Sequence, residues 1–509
     1  MLRNDQLKSA GLDSQASLAP HARRARYHAA RVAAVLRRHW LAAALLAAGL
    51  VLRVLAQFAY RPALFLDAVR YLYNSYGNDP VGYEGPLRAI LWVGRNFDAV
   101  VAVQHLLSLG MAVLIYVLLL RRGASRWLAA LAIAPILLDA YEIQNEQTIL
   151  PGTVFQALIV GGFAFLLWQP KLNWWRTVAA GLLLGTSAIV AQVGESLILP
   201  AVIYLIAVGG GWRQVTGKAV ALCAAFAVPI LAYCTGSYLM TGSFFLSHTG
   251  VTSVYGRMAA AADCATLTLP QAEQAMCPTR AQQAKGPDWL EYAQQSPIAP
   301  YYARLPRTEV NTLIGNFNNS VLSQQPQRVL GAYSRDVLKL YAVTRTTAPG
   351  DTPISRWQFQ TAYPYHPPHA TKPVVDRVTR QFGGGPPIVW HPVAVFLHGY
   401  QLHGGYTPGP LLLVLTLTGL AGPVIAVVRR RADPTTRQLS LACLLMFASG
   451  AALILVSDLF EFSWRYQLPV LVTLVPAGAL GIGVIIRLVR PRRTPEPEAP
   501  GAAAAEDAV

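Results

Sequence analysis

The sequence predicts an all-α polytopic membrane protein of about ten transmembrane helices with a large extracytoplasmic loop domain. Three observations carry this: the composition, the clumping of the apolar residues, and the placement of the basic ones. Of 509 residues, 54% are hydrophobic and only 13% charged, and mean hydropathy is +0.37. A soluble globular chain carries about twice that share of charge. Apolar runs at 40–59, 100–120, 152–168, 178–193, 196–210, 219–240, 411–428, 439–456 and 468–488 approach the ~20 residues that cross a bilayer core. A tenth run, 127–138, is short and spans only if the polar turn after it forms its outer end. No long period-2 stretch supports a barrel, which leaves helices to satisfy the backbone in lipid.

The net charge of +17 is placed rather than spread. Basic clusters at 23–38, 121–126, 171–176, 213–218, 429–437 and 487–493 each lie beside an apolar run, on every second connection. That alternation is the positive-inside pattern. It predicts a multi-pass protein of the plasma membrane with both termini cytoplasmic. The charge is read as orientation and contact with membrane lipid, not as a nucleic-acid surface. The long first apolar run lacks a small-residue cleavage site and reads as a retained helix. The chain then divides into a basic cytoplasmic segment (1–39), helices one to seven with a first outer loop at 61–98 (40–240), an extracytoplasmic loop domain (241–409), helices eight to ten (410–488), and a disordered cytoplasmic tail (489–509). Within the loop domain, residues 326–341 show helical spacing of apolar positions.

Cys223, Cys234 and Cys443 fall within apolar runs and read as small buried residues. Cys264 and Cys277 fall in the outer loop, where an oxidising compartment favours a disulfide between them. A zinc site is the rival reading, but no histidine or second cysteine pair lies close by. His366, His369, His391, His398 and His403 match no clean ligand spacing. No metal and no cofactor is expected.

The first outer loop carries the sharpest signal. RPALFLDAVRYL puts Asp67 just beyond the first helix, with Arg70 and Tyr71 within one turn, and GYEGPLRAI adds Glu84 and Arg88. The run LLDAYEIQNEQTIL collects Asp139, Glu142 and Glu146 at one membrane end. Such acids are either solvated helix ends or the lining of a shared cavity, and several converging favour the cavity. Arg53, inside the first run, either neutralises an acid or a phosphate or snorkels to the interface. His105 reads first as a hydrogen-bonding group between helices.

RPALFLDAVRYL, the Gly82-Tyr83-x-x-Pro86-Leu87-Arg88 segment, Gln104-His105-Leu106-Leu107, and the LLDAY…E…TVF junction together resemble the GT-C superfamily of polyprenyl-phosphate-dependent glycosyltransferases. The branch resembled is glycosyltransferase family 39, akin to protein O-mannosyltransferases and the lipid A aminoarabinose transferase. SVYGRMAAAADCATLTLPQAEQAMCP and SWRYQLPVLVTLVPAGAL extend the likeness to about residues 40–488.

The resemblance implies an inverting transfer of a sugar from a polyprenyl-phosphate donor to a hydroxyl of a cell-envelope acceptor (protein, lipid or polysaccharide). Asp67 takes the position of the general base. Arg88, Arg257 and Arg465, the last with Tyr466, are candidates to hold the donor phosphate. Tyr71, Glu84, His105, Asp139, Glu142 and Glu146 would shape the substrate cavity. The chain departs from the family pattern at Glu146-Gln147 and Pro151-Gly152-Thr153, where relatives carry a histidine and a second acid, and at Val190-Ala191-Gln192 in place of Thr-Arg-Pro. It also has a lone Asp67 rather than an Asp-Glu pair. The rival function is a transporter or flippase of a lipid-linked glycan, against which the single asymmetric outer loop argues, because transporters are commonly built from paired halves.

Overall fold

The computed structural model describes residues 31, 33–73, 82–247, 250–367, 370–428 and 433–489. Most of the basic N-terminal segment, nearly all of the tail, and His369 lie outside the described residues. The chain is helical, and the described residues form isolated β-bridges but no strand. In order, the helices used below are α1 (Trp40–Ala59), α2 (Leu66–Leu72), α3 (Glu84–Gly94), α4 (Phe97–Arg121), α5 (Arg126–Leu138), α6 (Ala140–Glu146), α7 (Gly152–Leu167), α8 (Trp174–Val190), α9 (Ile198–Val208), α10 (Trp212–Thr241), α11 (Gly250–Ala261), α12 (Pro287–Tyr292), α13 (Arg307–Gln324), α14 (Pro326–Lys339), α15 (Lys372–Phe382), α16 (His391–Leu402), α17 (Gly409–Val428), α18 (Pro434–Phe460) and α19 (Leu474–Val489).

This is a polytopic membrane protein, but the span count differs from the expected ten. Among the described residues, six stretches are long and apolar enough to cross: α1, α4, α10, α17, α18, and Leu468–Val489, in which a short 3₁₀ turn leads into α19. A seventh is the pair α5 and α6, bent by 55° at Asp139. The remaining three, α7, α8 and Gln192–Val208, are apolar helices of 10–17 residues, below the ~20 of a full crossing. For α8 and α9 the boundary is local: Ala191 leaves the helix with φ −148° and ψ 122°, and a 3₁₀ turn (Gln192–Leu197) replaces the regular helix before α9.

Residue choice sets the packing. The Leu468–Val489 stretch is central, with 78% of its apolar window buried, whereas α10 is peripheral at 22%. Small residues bring α17 onto α19: a Cβ added at Gly478 would stand 2.6 Å from the Leu415 Cα, and one at Gly422 2.7 Å from the Gly481 Cα. Without a hydrophobic drive between helices in lipid, such backbone-to-backbone contact supplies the attraction.

Residues 241–409 do not share one core. Tyr255, Met258, Met276, Leu290, Ile298, Val310, Ile314, Phe317 and Val321, from α11 to α13, form a core of their own. The Cys264–Cys277 disulfide lies at its edge. Beyond α14 the chain returns to the bundle: Trp357, Val375 and Val378 join the main core, and Phe359, Ala394 and Leu397 pack on Ala56, Ala59 and Tyr60 at the end of α1. This return brings distant loops to one end of the bundle.

Candidate active site

The site is assembled where α1 and α18 end. After α1, residues 60–65 run extended, pinned by bridges from Tyr60 to Val389 and from Ala63 to Thr148, and Phe65 opens α2. Asp67 therefore lies in the first turn of α2. After α18, the segment 461–467 turns back and is closed by Gln467, whose Nε2 donates to Asp458 Oδ1 at 2.7 Å. The turn presents Arg465. Its Nη1 lies 3.7 Å from Asp67 Oδ2, and Arg70 Nη2 lies 4.0 Å from Asp67 Oδ1. The Asp67 side chain keeps 37% of its surface open and that of Arg465 16%, so water reaches the pair. Arg465 Nη2 donates to the Tyr466 hydroxyl at 3.0 Å, and Arg70 Nη2 donates to the Tyr71 hydroxyl at 3.2 Å.

Two further carboxyls feel this pair. Burial, first of all, pushes Glu461 well above the usual carboxylate range; the charges of Asp288 and Glu291 add to the rise, and Arg465 and Arg257 oppose it. Asp288, on α12, is raised by burial and by Asp67, against the pull of Arg356 and Arg465. Because the folded protein holds these protons more tightly than the unfolded chain, the associated stability is complete below the ordinary glutamate value of about 4.3. It is lost as pH rises through the raised folded value. Glu461→Gln is therefore expected to match the wild type in melting temperature near pH 4 and to exceed it increasingly toward pH 8. A constant offset across that range, measured by thermal melting of the detergent-solubilised protein, would contradict the assignment.

The other sequence candidates are dispersed. Arg88 is exposed on α3 and pairs with Glu84 at 2.5 Å, one turn earlier on the same helix. Arg257 is buried: its Nη2 meets Asp336 Oδ2 at 2.5 Å and donates to the Asp458 carbonyl at 2.9 Å. It clamps the loop domain to the end of α18. Tyr71 is buried against Tyr83, their rings 5.4 Å apart.

His105, Asp139, Glu142 and Glu146 are neither solvated helix ends nor an open lining: all are buried, and protein groups engage them. The cause is the broken span. Where α5 stops, its last carbonyls lose their helical partners, and a membrane offers none. Arg53, 1% exposed, supplies them: Nη2 donates to the Ile136 carbonyl and Nη1 to the Leu137 carbonyl, both at 2.9 Å. The Tyr400 hydroxyl donates to the Leu138 carbonyl at 2.6 Å. The same guanidinium grips Glu146 with two bonds, Nε to Oε2 at 2.8 Å and Nη2 to Oε1 at 2.6 Å. His105 Nδ1 meets Glu146 Oε2 at 2.7 Å, and its Nε2 meets Gln147 Oε1 at 3.1 Å. Arg53 thus neutralises an acid rather than snorkelling. Glu142 accepts both contacts of Gln156 Nε2, at 2.9 and 3.0 Å. Asp139 Oδ1 caps α6 through the Tyr141 N–H at 3.0 Å, and Oδ2 accepts from the Thr407 N–H at 2.8 Å and Arg345 at 3.2 Å.

Sequence reading passed over Arg70, Asp288, Trp357 and Glu461 as site residues. The only hints were that Arg70 lies one turn after Asp67 and that Glu461 lies one turn before Arg465. Asp288 and Trp357 carried no signal at all, because the loop domain delivers them. Among the described residues, no three His, Cys, Asp or Glu side chains are grouped to hold a metal.

Fold and site together define a polytopic all-α membrane protein with a charged, water-reachable cluster at the end of the bundle that carries the loop domain. No family model and no curated protein matches the sequence. Among solved structures, the apo-state crystal structure of ArnT from Cupriavidus metallidurans aligns with 86% of this chain and 77% of that chain, at 16% identity and a TM-score of 0.32.

Proposed function

We propose that the protein is a membrane glycosyltransferase that moves a sugar from a polyprenyl-phosphate donor to an acceptor hydroxyl at the outer face, with inversion. The observation that carries this reading is the 3.7 Å juxtaposition of a water-reachable Asp67 with Arg465, both just beyond the ends of apolar helices. A lipid donor would approach from the bilayer with its phosphate at that level. Arg465, held beside the Asp67 carboxylate, meets that phosphate with its planar fork, which suits two parallel contacts. The carboxylate is left open to the acceptor. Asp67 takes the hydroxyl proton as the acceptor oxygen bonds to the anomeric carbon. The bond from that carbon to the phosphate oxygen breaks, and its electron pair leaves with the polyprenyl phosphate, whose added charge Arg465 stabilises. No covalent intermediate forms on the enzyme. Arg70, on the other side of Asp67, adds positive charge near the leaving group.

Transfer from radiolabelled polyprenyl-phosphate sugars in membranes, wild type against Arg465→Ala, tests this. Loss of one charge-stabilising donor is expected to lower turnover by roughly 10²–10³-fold. Unchanged transfer by Arg465→Ala would remove Arg465 from the mechanism. Lipid translocation by the wild type without transfer from any donor would replace the enzyme reading with that of a transporter.

A further inference from the structure

Arg465 ends in a long, flexible side chain, yet a phosphate site needs its guanidinium in one place. We propose that Trp357, from the loop domain, is a positioning residue that fixes the Arg465 guanidinium and so sets the affinity for the phosphate of a polyprenyl phosphate. This rests on the reading of Arg465 as the phosphate contact.

The Arg465 guanidinium carbon lies 4.8 Å from the centre of the Trp357 ring and 4.8 Å from that of Tyr466, within the range of a cation held by ring quadrupoles. Trp357 is itself closely packed. It is 7% exposed, and its ring stacks on Phe65 with centroids 5.2 Å apart and planes 13° from parallel. Phe65 in turn stacks on His366 at 4.2 Å. The Trp357 carbonyl accepts from Gln401 Nε2 at 3.2 Å, and Gln401, fully buried on α16, accepts from the Phe359 N–H at 2.7 Å. Trp357 therefore stands on a rigid column.

The column also sets register. Phe65 precedes Asp67 by two positions at the start of α2, while Trp357 faces Arg465. Proposed base and proposed phosphate contact are thereby held to one stack of rings drawn from two distant parts of the chain. His366, lowered to about 4 by burial and by Arg356, stays uncharged at neutral pH and brings no competing cation to the stack. The Trp357 indole N–H is buried and finds no acceptor among the described residues. Its flat face is the part that works, and phenylalanine loses no hydrogen bond there.

The test compares wild type, Trp357→Leu and Trp357→Phe as purified full chains, each checked for the same elution profile and melting temperature. The probes are a short-chain polyprenyl phosphate and the corresponding neutral polyprenol, with binding followed by tryptophan fluorescence. Leucine is expected to weaken phosphate binding, and to raise KM for the phosphate-linked sugar, on the order of 10- to 30-fold, the worth of a desolvated cation–π contact. It should lower kcat by less than the roughly 10²–10³-fold expected of Arg465→Ala, because the guanidinium itself is still present. Polyprenol binding should not change. Phenylalanine should restore most of the phosphate affinity.

A leucine variant that binds the phosphate as the wild type does, or that loses kcat alone, overturns the role of Trp357. So does a phenylalanine variant as weak as leucine. A wild type that binds phosphate no better than polyprenol overturns instead the reading of Arg465, and the role of Trp357 with it.

Discussion

Asp67→Asn is expected to lower sugar transfer by about 10²–10⁴-fold, the usual contribution of a positioned general base. Asparagine keeps the shape of the side chain, but its amide does not take a proton from an attacking hydroxyl. The fold should tolerate the change. Asp67 is partly open to water, and its contacts to Arg465 and Arg70 are loose, at 3.7 and 4.0 Å. Exposed pairs of that kind contribute ~0–1 kcal/mol. The measurement is transfer from a radiolabelled polyprenyl-phosphate sugar, alongside donor affinity and melting temperature. Loss of transfer with affinity and melting temperature preserved places Asp67 in the chemical step. A fully active variant would mean that another group takes the proton, and a variant that fails to fold would make Asp67 structural.

Arg53→Met should have the opposite profile: a loss of stability of roughly 3–5 kcal/mol, the range for removing one partner of a buried ion pair. Glu146, fully buried, would keep only the His105 contact, and the Ile136 and Leu137 carbonyls at the end of α5 would lose their donor. Adding Glu146→Gln to the same chain removes the stranded charge and is expected to recover part of the loss. What remains measures the uncapped carbonyls, about 1–3 kcal/mol for each unsatisfied group. Thermal stability of the solubilised single and double variants decides the matter. A double variant as unstable as Arg53→Met would show that the carbonyl caps, not the ion pair, carry the effect.

The two variants separate what looked alike in sequence. Asp67, Glu142 and Glu146 are all acids near the end of an apolar run, and an acid at that place reads the same whether it faces water or protein. Asp67 follows α1 into a partly open turn. Glu146 ends a helix that Asp139 bends by 55° into the protein, so the fold buries it and answers it with Arg53. Cations behave likewise. Arg88 finds its partner one turn earlier on its own helix, Arg257 is met by Asp336 from the loop domain, and Arg465 is the one beside Asp67.

By itself, the sequence determined that the chain is an all-helical, multi-pass membrane protein, because crossing a bilayer leaves a local record: long apolar runs separated by short basic turns. It also pointed to Asp67, just beyond the first such run, whereas Arg465 entered only through the resemblance, as one of three candidate cations. Tertiary structure alone decided that the span is bent by 55° at Asp139, that Arg53 serves this broken span, and that Trp357, more than a hundred residues before Arg465, lies against it. Those outcomes depend on which surfaces meet. A guanidinium, a carboxylate or an indole takes its role from neighbours that chain position does not name.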